Sequence, residues 1–316
     1  MWTSCFSLCP PWFNFFVVVD IFMEKKWKLE QCFVNFARMK SFTINEKIWD
    51  FASPMVMGIL NLTPDSFFDG GKFLSEEKFM NHVAKMIEDG ATIMDIGGQS
   101  TKPNAEMILV EEELNRVISP IEKIRKHFPE IIISIDTFRS EVAKRAVEAG
   151  ANFINDISAG SLDEKMFDTV SSLKVPYVLM HMQGTPQTMQ KNPHYENVFD
   201  EVFNFFKQKI AELNKKGIHD IILDPGFGFG KTVEHNFTLL KRLNEFHFFE
   251  LPILVGLSRK SLINKVLHTK PDDALNGTTS LQTIALQNGA NILRVHDVKE
   301  AMQIIQLTNQ YHHAAL

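Results

Sequence analysis

Asn61, Asp95, Asp136, Asn155-Asp156, His181, Asp224, Ser258 and Arg294-Val295-His296 each follow a short apolar run, and these are residue types that hold ligands and stabilise charge. Carboxylates and an amide can meet the N–H and C=O edges of a polar ring, and a carboxylate stays ionised where hydrogen bonds support its charge. Arg294 and His296 are two residues apart, so on a strand both side chains point to the same side. There a guanidinium can grip a phosphate bidentately and an imidazole can add a further bond. Outside such a setting an Arg-x-His is an ordinary surface pair. Asn61 offers an oxygen suited to a hard cation such as Mg²⁺. His181, between Met180 and Met182, reads equally as a site residue or an interior one, and His312-His313 reads as exposed tail. The alternating glycines Gly226, Gly228 and Gly230 lack the dinucleotide-binding spacing and read as a place where backbone approaches a ligand.

A repeated unit must position these residues. The runs are 56–60, 93–94, 131–135, 153–154, 177–180, 221–223, 253–257 and 292–293. Near-continuous β-branched and aliphatic runs read as strands buried on both faces, hence a parallel sheet. Helical patterns fill the gaps. Eight alternating units predict an α/β fold, a (β/α)8 TIM barrel with its site at the carboxyl ends of the strands. The first helix is expected to start at Ser75 as N-cap and to stop at Gly90, the third to run from Ser140 to Glu148 before Gly150. The fifth is expected over 196–216, with Val198, Val202, Phe206, Ile210 and Leu213 on its core stripe. The polar stretch 61–71 is expected to be a mobile lid, and a hairpin (Ser41 to Ile44, Ile48 to Phe51) to close the barrel bottom.

The 316 residues suit one such barrel, which takes about 250. A net charge of −5 argues against a general nucleic-acid or anionic-membrane binder, and no apolar stretch of about 18 residues exists to span a bilayer. All three cysteines (Cys5, Cys9, Cys32) precede Met39, as do three of the four tryptophans. This segment lacks a basic n-region, so it is a poor secretory signal, and Cys5 and Cys9 have no partner pair for zinc. Residues 1–38 are therefore expected to be an atypical extension, disordered or not native, with a membrane-surface anchor or a targeting role as the alternative. Residues 39–316 are expected to be the catalytic domain. A cysteine-free body fits the reducing cytosol, and a cytoplasmic location is expected.

The strand-end loops, taken in order, resemble the dihydropteroate synthases of the pterin-binding family. The matching runs are 57–67 with Asp69-Gly70-Gly71, then 95–103, Ser134-Ile135-Asp136-Thr137, 155–158, 180–186, 224–231, Ser258-Arg259-Lys260-Ser261 and Arg294-Val295-His296-Asp297. Two positions depart from the family pattern: Gln99 stands where Glu is usual, and Lys102 where Arg is usual. Lys102 keeps the charge but loses the planar fork.

The resemblance implies condensation of 6-hydroxymethyl-7,8-dihydropterin diphosphate with p-aminobenzoate, by an SN1-like path with Mg²⁺. It places Asp136, Asn155, Met180, Asp224 and Lys260 at the pterin, and Asn61 at the metal. Thr101, Lys102, Phe229, Ser258, Arg294 and His296 fall to p-aminobenzoate and diphosphate, and Asp65, Lys260, Arg294 and His296 to catalysis. It further implies a homodimer and competition by sulfonamides, which mimic p-aminobenzoate. A corrinoid-dependent methyltransferase would share the pterin grip but expels no diphosphate. A pterin-binding homologue without turnover is the reading from another class, and binding without turnover would identify it.

Overall fold

The computed structural model describes residues 41–44, 47–62, 72–101 and 105–314, with no side-chain detail for 72–75. The extension 1–38, the lid residues around Asp65 and Phe67, and Lys102 lie outside the described residues.

Each apolar run forms a strand of a parallel sheet. The barrel strands are β3 (Met55–Asn61), β4 (Ile93–Gly97), β5 (Ile132–Asp136), β6 (Phe153–Asp156), β7 (Tyr177–Met180), β8 (Ile221–Asp224), β9 (Leu254–Val255) and β10 (Ile292–Val295). They are ordered β8-β7-β6-β5-β4-β3-β10-β9. The ring closes through a single parallel bridge, Leu223 to Ile253, and a 2.8 Å bond from Leu223 N–H to Pro252 C=O.

β9 is shorter than the expected 253–257 for a local reason. The Ile253 N–H is taken by the Asn291 side chain at 2.9 Å, which leaves this residue only an isolated bridge. Beyond it the chain bends through Arg259, which sits at a left-handed φ of 53°.

Packed outside are α1 (Lys72–Glu88), α2 (Val110–His127), α3 (Ser140–Glu148), α4 (Met166–Leu173), α5 (Val198–Lys215), α6 (Val233–Lys241), α7 (Ser261–Leu267), α8 (Leu275–Gln287) and α9 (Val298–His313). Helix α3 has the limits its sequence implied. Helix α1 does not: it begins at Lys72, so Ser75 lies inside it and is not its cap, because nothing between Gly71 and Ser75 breaks a helix. Asn197 caps α5, its side chain accepting from Phe199 N–H (3.1 Å) and Asp200 N–H (3.3 Å). Four of the five expected core residues of that helix are buried and Ile210 packs against them.

The period-2 alternation of a strand decides which residues reach the site. Val56, Leu60, Met94, Ile96, Ile133, Ile135, Leu179 and Leu223 join the layer shared with the helices. Gly58 faces that layer too, since a Cβ there would fall 2.3 Å from Met86 Cε. The alternate positions, including Asp95, Ser134, Asp136, Asn155, Met180, Asp224 and Arg294, therefore face the barrel interior. Asp156 has the opposite phase: it faces the helices and accepts from the Tyr177 hydroxyl at 2.7 Å.

At the amino-terminal side of the barrel, β1 (Phe42–Ile44) pairs antiparallel with β2 (Lys47–Trp49). Phe42 meets Phe51 edge-on at 5.0 Å, and Lys47 pairs with Glu130 just ahead of β5, which sets the hairpin at the expected end. Among the described residues no helix is long and apolar enough to cross a membrane.

Candidate active site

Six polar groups from five strands and one loop meet at the carboxyl-terminal mouth. Arg294, on β10, is the hub. Its Nε donates to Asp95 Oδ2 and its Nη2 to Asp136 Oδ2, both at 2.6 Å, and Asn155 Nδ2 donates to the same Asp95 oxygen at 3.1 Å. Burial works against the Arg294 charge, but Asp95 and Asp136 outweigh it and hold the guanidinium more firmly protonated than usual. Burial pushes the Asp136 carboxyl up to about 7; Arg294 opposes the shift and Asp95 adds to it. Asp136 Oδ1 and Asp95 Oδ1 are buried with no hydrogen-bond partner among the described residues. An unpaired buried acceptor is costly, so these oxygens mark where ligand N–H groups or ordered waters belong.

The adjacent wall is built by the loop after β8. Asp224 Oδ1 accepts from Gly226 N–H at 2.7 Å, leaving its second oxygen for a ligand. Burial raises the Asp224 carboxyl, with Lys260 the main opposing charge. Lys260 reaches over from the start of α7, donates to Phe227 C=O, and lies 4.6 Å from the centre of the Phe229 ring. Burial lowers this lysine to about 8, Asp224 holding it partly up and Arg294 pushing it further down. Met180 leaves the main core to form a small apolar shelf with Phe138 and Ile157, against which Met182 and Phe229 pack. A flat ring thus has a sulfur and an aromatic wall beside the carboxylates.

Backbone closeness at Gly226 is obligatory. Its φ is +68°, and a Cβ would lie 1.9 Å from His181 O. Gly217 has a similar φ, +76°, but nothing within 4 Å of a Cβ. Gly217→Ala is expected to cost only the left-handed backbone term, about 1–2 kcal/mol. Gly226→Ala adds a backbone collision and should cost roughly 3 kcal/mol or more. Thermal unfolding of the two variants side by side checks this, and equal midpoints would contradict it.

On the remaining rim, Asn61 ends β3, exposed, and a Cβ on Gly97 would be 3.7 Å from both Asn61 Oδ1 and Asp136 Oδ2. Ser258 is buried, its Oγ 3.2 Å from both His296 N and His296 Nδ1. His296 itself falls just past β10 and is exposed, so it sits at the rim while Arg294 sits inside. Thr101 is half-buried on the loop after β4. Lys102 and Asp65 lie outside the described residues.

Several residues of this site carry no role assigned from sequence, although Asp95 is marked there as a strand end and Gln99 as a departure from the family pattern. Asp95 is the anchor of Arg294, and its signal was a lone carboxylate at an interior phase of an apolar strand. Arg259 forms a two-point pair with Asp297 (2.9 and 2.7 Å), tying the loop after β9 to the loop after β10. Gln99 is buried and stitches its loop: its amide donates to Ser100 C=O and Glu106 C=O at 2.9 Å and accepts from Ile108 N–H at 3.0 Å. A carboxylate could not make the two donor bonds. Glu113, fully buried on α2, accepts from the Thr137 hydroxyl at 2.7 Å and pairs with Arg139, bracing the end of β5 from outside.

A parallel eight-stranded barrel with paired carboxylates, an amide and a lysine in its mouth defines a barrel enzyme built to hold a flat polar ligand. Residues 57–296 match the family model described as "Pterin binding enzyme". The dihydropteroate synthase of Escherichia coli (strain K12) is 48% identical over 264 residues, covering 82% of this chain and 93% of that protein. That of Haemophilus influenzae is 45% identical over 265 residues, 83% of this chain and 96% of its own. A Yersinia pestis dihydropteroate synthase solved in a sulfonamide drug complex superposes with a TM-score of 0.81 at 39% identity, over 87% of this chain and 100% of that one. A Xanthomonas albilineans dihydropteroate synthase in complex with 7,8-dihydropteroate gives 0.78 at 36% identity, with the same coverage. The chain belongs to the pterin-binding enzymes and, within them, to the dihydropteroate synthases, which are transferases of folate synthesis.

Proposed function

We propose that this chain joins 6-hydroxymethyl-7,8-dihydropterin diphosphate to p-aminobenzoate, giving 7,8-dihydropteroate and diphosphate. The observation that carries the reading is the convergence of Asp136, Asn155, Asp224 and Lys260 around the Arg294 hub, with unpaired carboxylate oxygens facing the interior. The pterin N–H edge meets the carboxylates and Asn155, its carbonyl edge meets Lys260, and Met180 and Phe229 flank its faces.

Arg294 spends two of its five N–H donors on Asp95 and Asp136. The others can reach a diphosphate oxygen, with His296 and Ser258 beside them at the rim. The C–O bond at the pterin methylene breaks with its electron pair leaving on diphosphate. The neutral aryl amine of p-aminobenzoate attacks the resulting cation and then loses a proton. No base is needed to activate the amine, so the protein's part is charge stabilisation and exclusion of water. Asp65 is assigned to face the cation, and Thr101 and Lys102 to line the p-aminobenzoate side, where sulfonamides compete.

For Mg²⁺, Asn61 is the oxygen ligand this chain offers. Among the described residues no three His, Cys, Asp or Glu side chains gather to hold a metal unaided. That donor set fits a hard ion held jointly by the substrate's phosphates and water. The ion would neutralise charge on the departing diphosphate. The homodimer is assigned to the late helices, where Ile284 on α8 and Leu307 and Tyr311 on α9 are exposed. A cytosolic setting is supported by the absence of cysteine from residues 39–316.

Two checks follow from chemistry and charge. In single turnover, deuterium at the pterin methylene should give a secondary isotope effect clearly above unity; a value at unity would contradict the dissociative step. Binding needs Asp136 ionised and Lys260 protonated, with Asp136 at about 7 and Lys260 at about 8. kcat/KM for the pterin substrate should thus rise through about pH 7 and fall above about pH 8. A profile flat between about pH 6 and 9 would overturn these assignments.

A further inference from the structure

Lys231 closes the glycine loop after β8, and its side chain turns back under the loop. It is buried, and no carboxylate lies within ion-pair distance of it among the described residues. Its Nζ instead meets four acceptors: Gly226 O at 2.9 Å, Phe229 O at 3.0 Å, His181 Nδ1 at 3.0 Å and His181 O at 3.2 Å. Four acceptors call for the three N–H groups of an ammonium, and His181 can accept at Nδ1 only with its own proton on Nε2. Burial keeps His181 neutral by pushing its pKa well down, and lowers Lys231 to about 7, with Asp224 the charge that holds it up.

The consequence lies across the loop. Gly226 and Gly230 pass so close to the segment after β7 that no side chain fits, since Cβ atoms there would sit 1.9 Å from His181 O and 2.5 Å from Gln183 O. Between them Phe227 offers the carbonyl that receives Lys260, and Phe229 offers the ring beside it. We propose that Lys231 is a positioning residue for pterin recognition, a buried cross-tie from the end of β7 to the loop after β8 that sets where Phe227 C=O and Phe229 hold Lys260. It touches no substrate and acts through Asp224, Phe229 and Lys260. This inference rests on the pterin assignment of the site.

The test is direct binding of 6-hydroxymethyl-7,8-dihydropterin diphosphate by calorimetry, with the thermal midpoint recorded separately. Lys231→Met keeps the side chain's length and removes its donors. Its Kd is expected to rise at least about tenfold in protein that is still folded. A purely structural tie would lower the midpoint and leave Kd within about twofold of wild type, overturning the inference. Should Lys231→Met not fold, a His181 pair takes its place: His181→Phe removes the acceptor, while His181→Asn keeps an oxygen near Nδ1. Weaker binding in the phenylalanine variant than in the asparagine one supports the cross-tie; equal binding in both overturns it. Wild-type protein that binds the pterin without making dihydropteroate would sink the reaction assignment and leave the Lys231 result readable.

Discussion

Asp224→Ala is expected to cut pterin-diphosphate affinity by about 10²–10³-fold, the loss of roughly 3–4 kcal/mol when a charged acceptor of paired N–H groups is removed from a buried site. Asp224 is the carboxylate with one oxygen fixed by Gly226 N–H and the other left for ligand, so its direction is set before substrate arrives. Asp224→Asn should bind about as poorly, since an amide turns a donor toward the ligand's donors. Stability should move the other way. The Asp224 carboxyl is raised by burial, so ionising it at neutral pH costs the folded state more than the unfolded one. Asp224→Asn removes that cost and is expected to melt higher than wild type near pH 7, with the gain fading as acid protonates the native carboxyl. Calorimetry and thermal unfolding read the two effects. An asparagine variant that binds normally, or that melts lower at neutral pH, would contradict the reading.

The second large effect is on stability, at Arg294. Its guanidinium is the shared partner of Asp95 and Asp136, and Arg294→Met would leave both carboxylates buried without it. Removing one member of a buried ion network costs about 3–5 kcal/mol. In a domain of this size that corresponds to a midpoint lower by roughly 5–15 °C. Arg294→Lys keeps the charge but cannot span both carboxylates with a planar fork, and should fall between. Without Arg294 the Asp136 carboxyl rises further, so the deficit of Arg294→Met should shrink as pH falls below neutral. A midpoint within about 2 °C of wild type at neutral pH would show that the hub carries no such load.

The barrel was legible because its signal is repeated. Eight apolar runs give eight strands, and Gly150 marks the end of α3 where the sequence placed it. The strand whose limits misled is β9, where hydropathy extends over five residues but the Asn291 side chain takes the Ile253 N–H and the chain turns through Arg259. The site was legible to the extent that strand ends could be matched to one mouth. Asp95 is the instructive case: its place at a strand end was legible, and its role was not. It ends the same kind of run as Asp136, but its partner Arg294 is 199 residues away, and only the register of β3, β4 and β10 brings them together. Lys231 is only the last residue of the matched run 224–231 in sequence, and its contacts with His181, Gly226 and Phe229 arise because the backbone turns back on itself. His296 shows the reverse case: period 2 pairs it with Arg294, but β10 ends at Val295 and the histidine moves to the rim. Gln99 read as a departure from a pattern, and its two donor bonds show what an amide does there that a carboxylate cannot.

The most direct measurement is diphosphate release by the purified protein supplied with dihydropterin diphosphate and Mg²⁺, with and without p-aminobenzoate, beside Lys260→Ala. The assigned chemistry gives diphosphate in step with dihydropteroate when p-aminobenzoate is present, and neither product from the Lys260→Ala variant. Tight pterin binding with no diphosphate released under either condition would contradict it and leave a pterin-binding barrel without turnover.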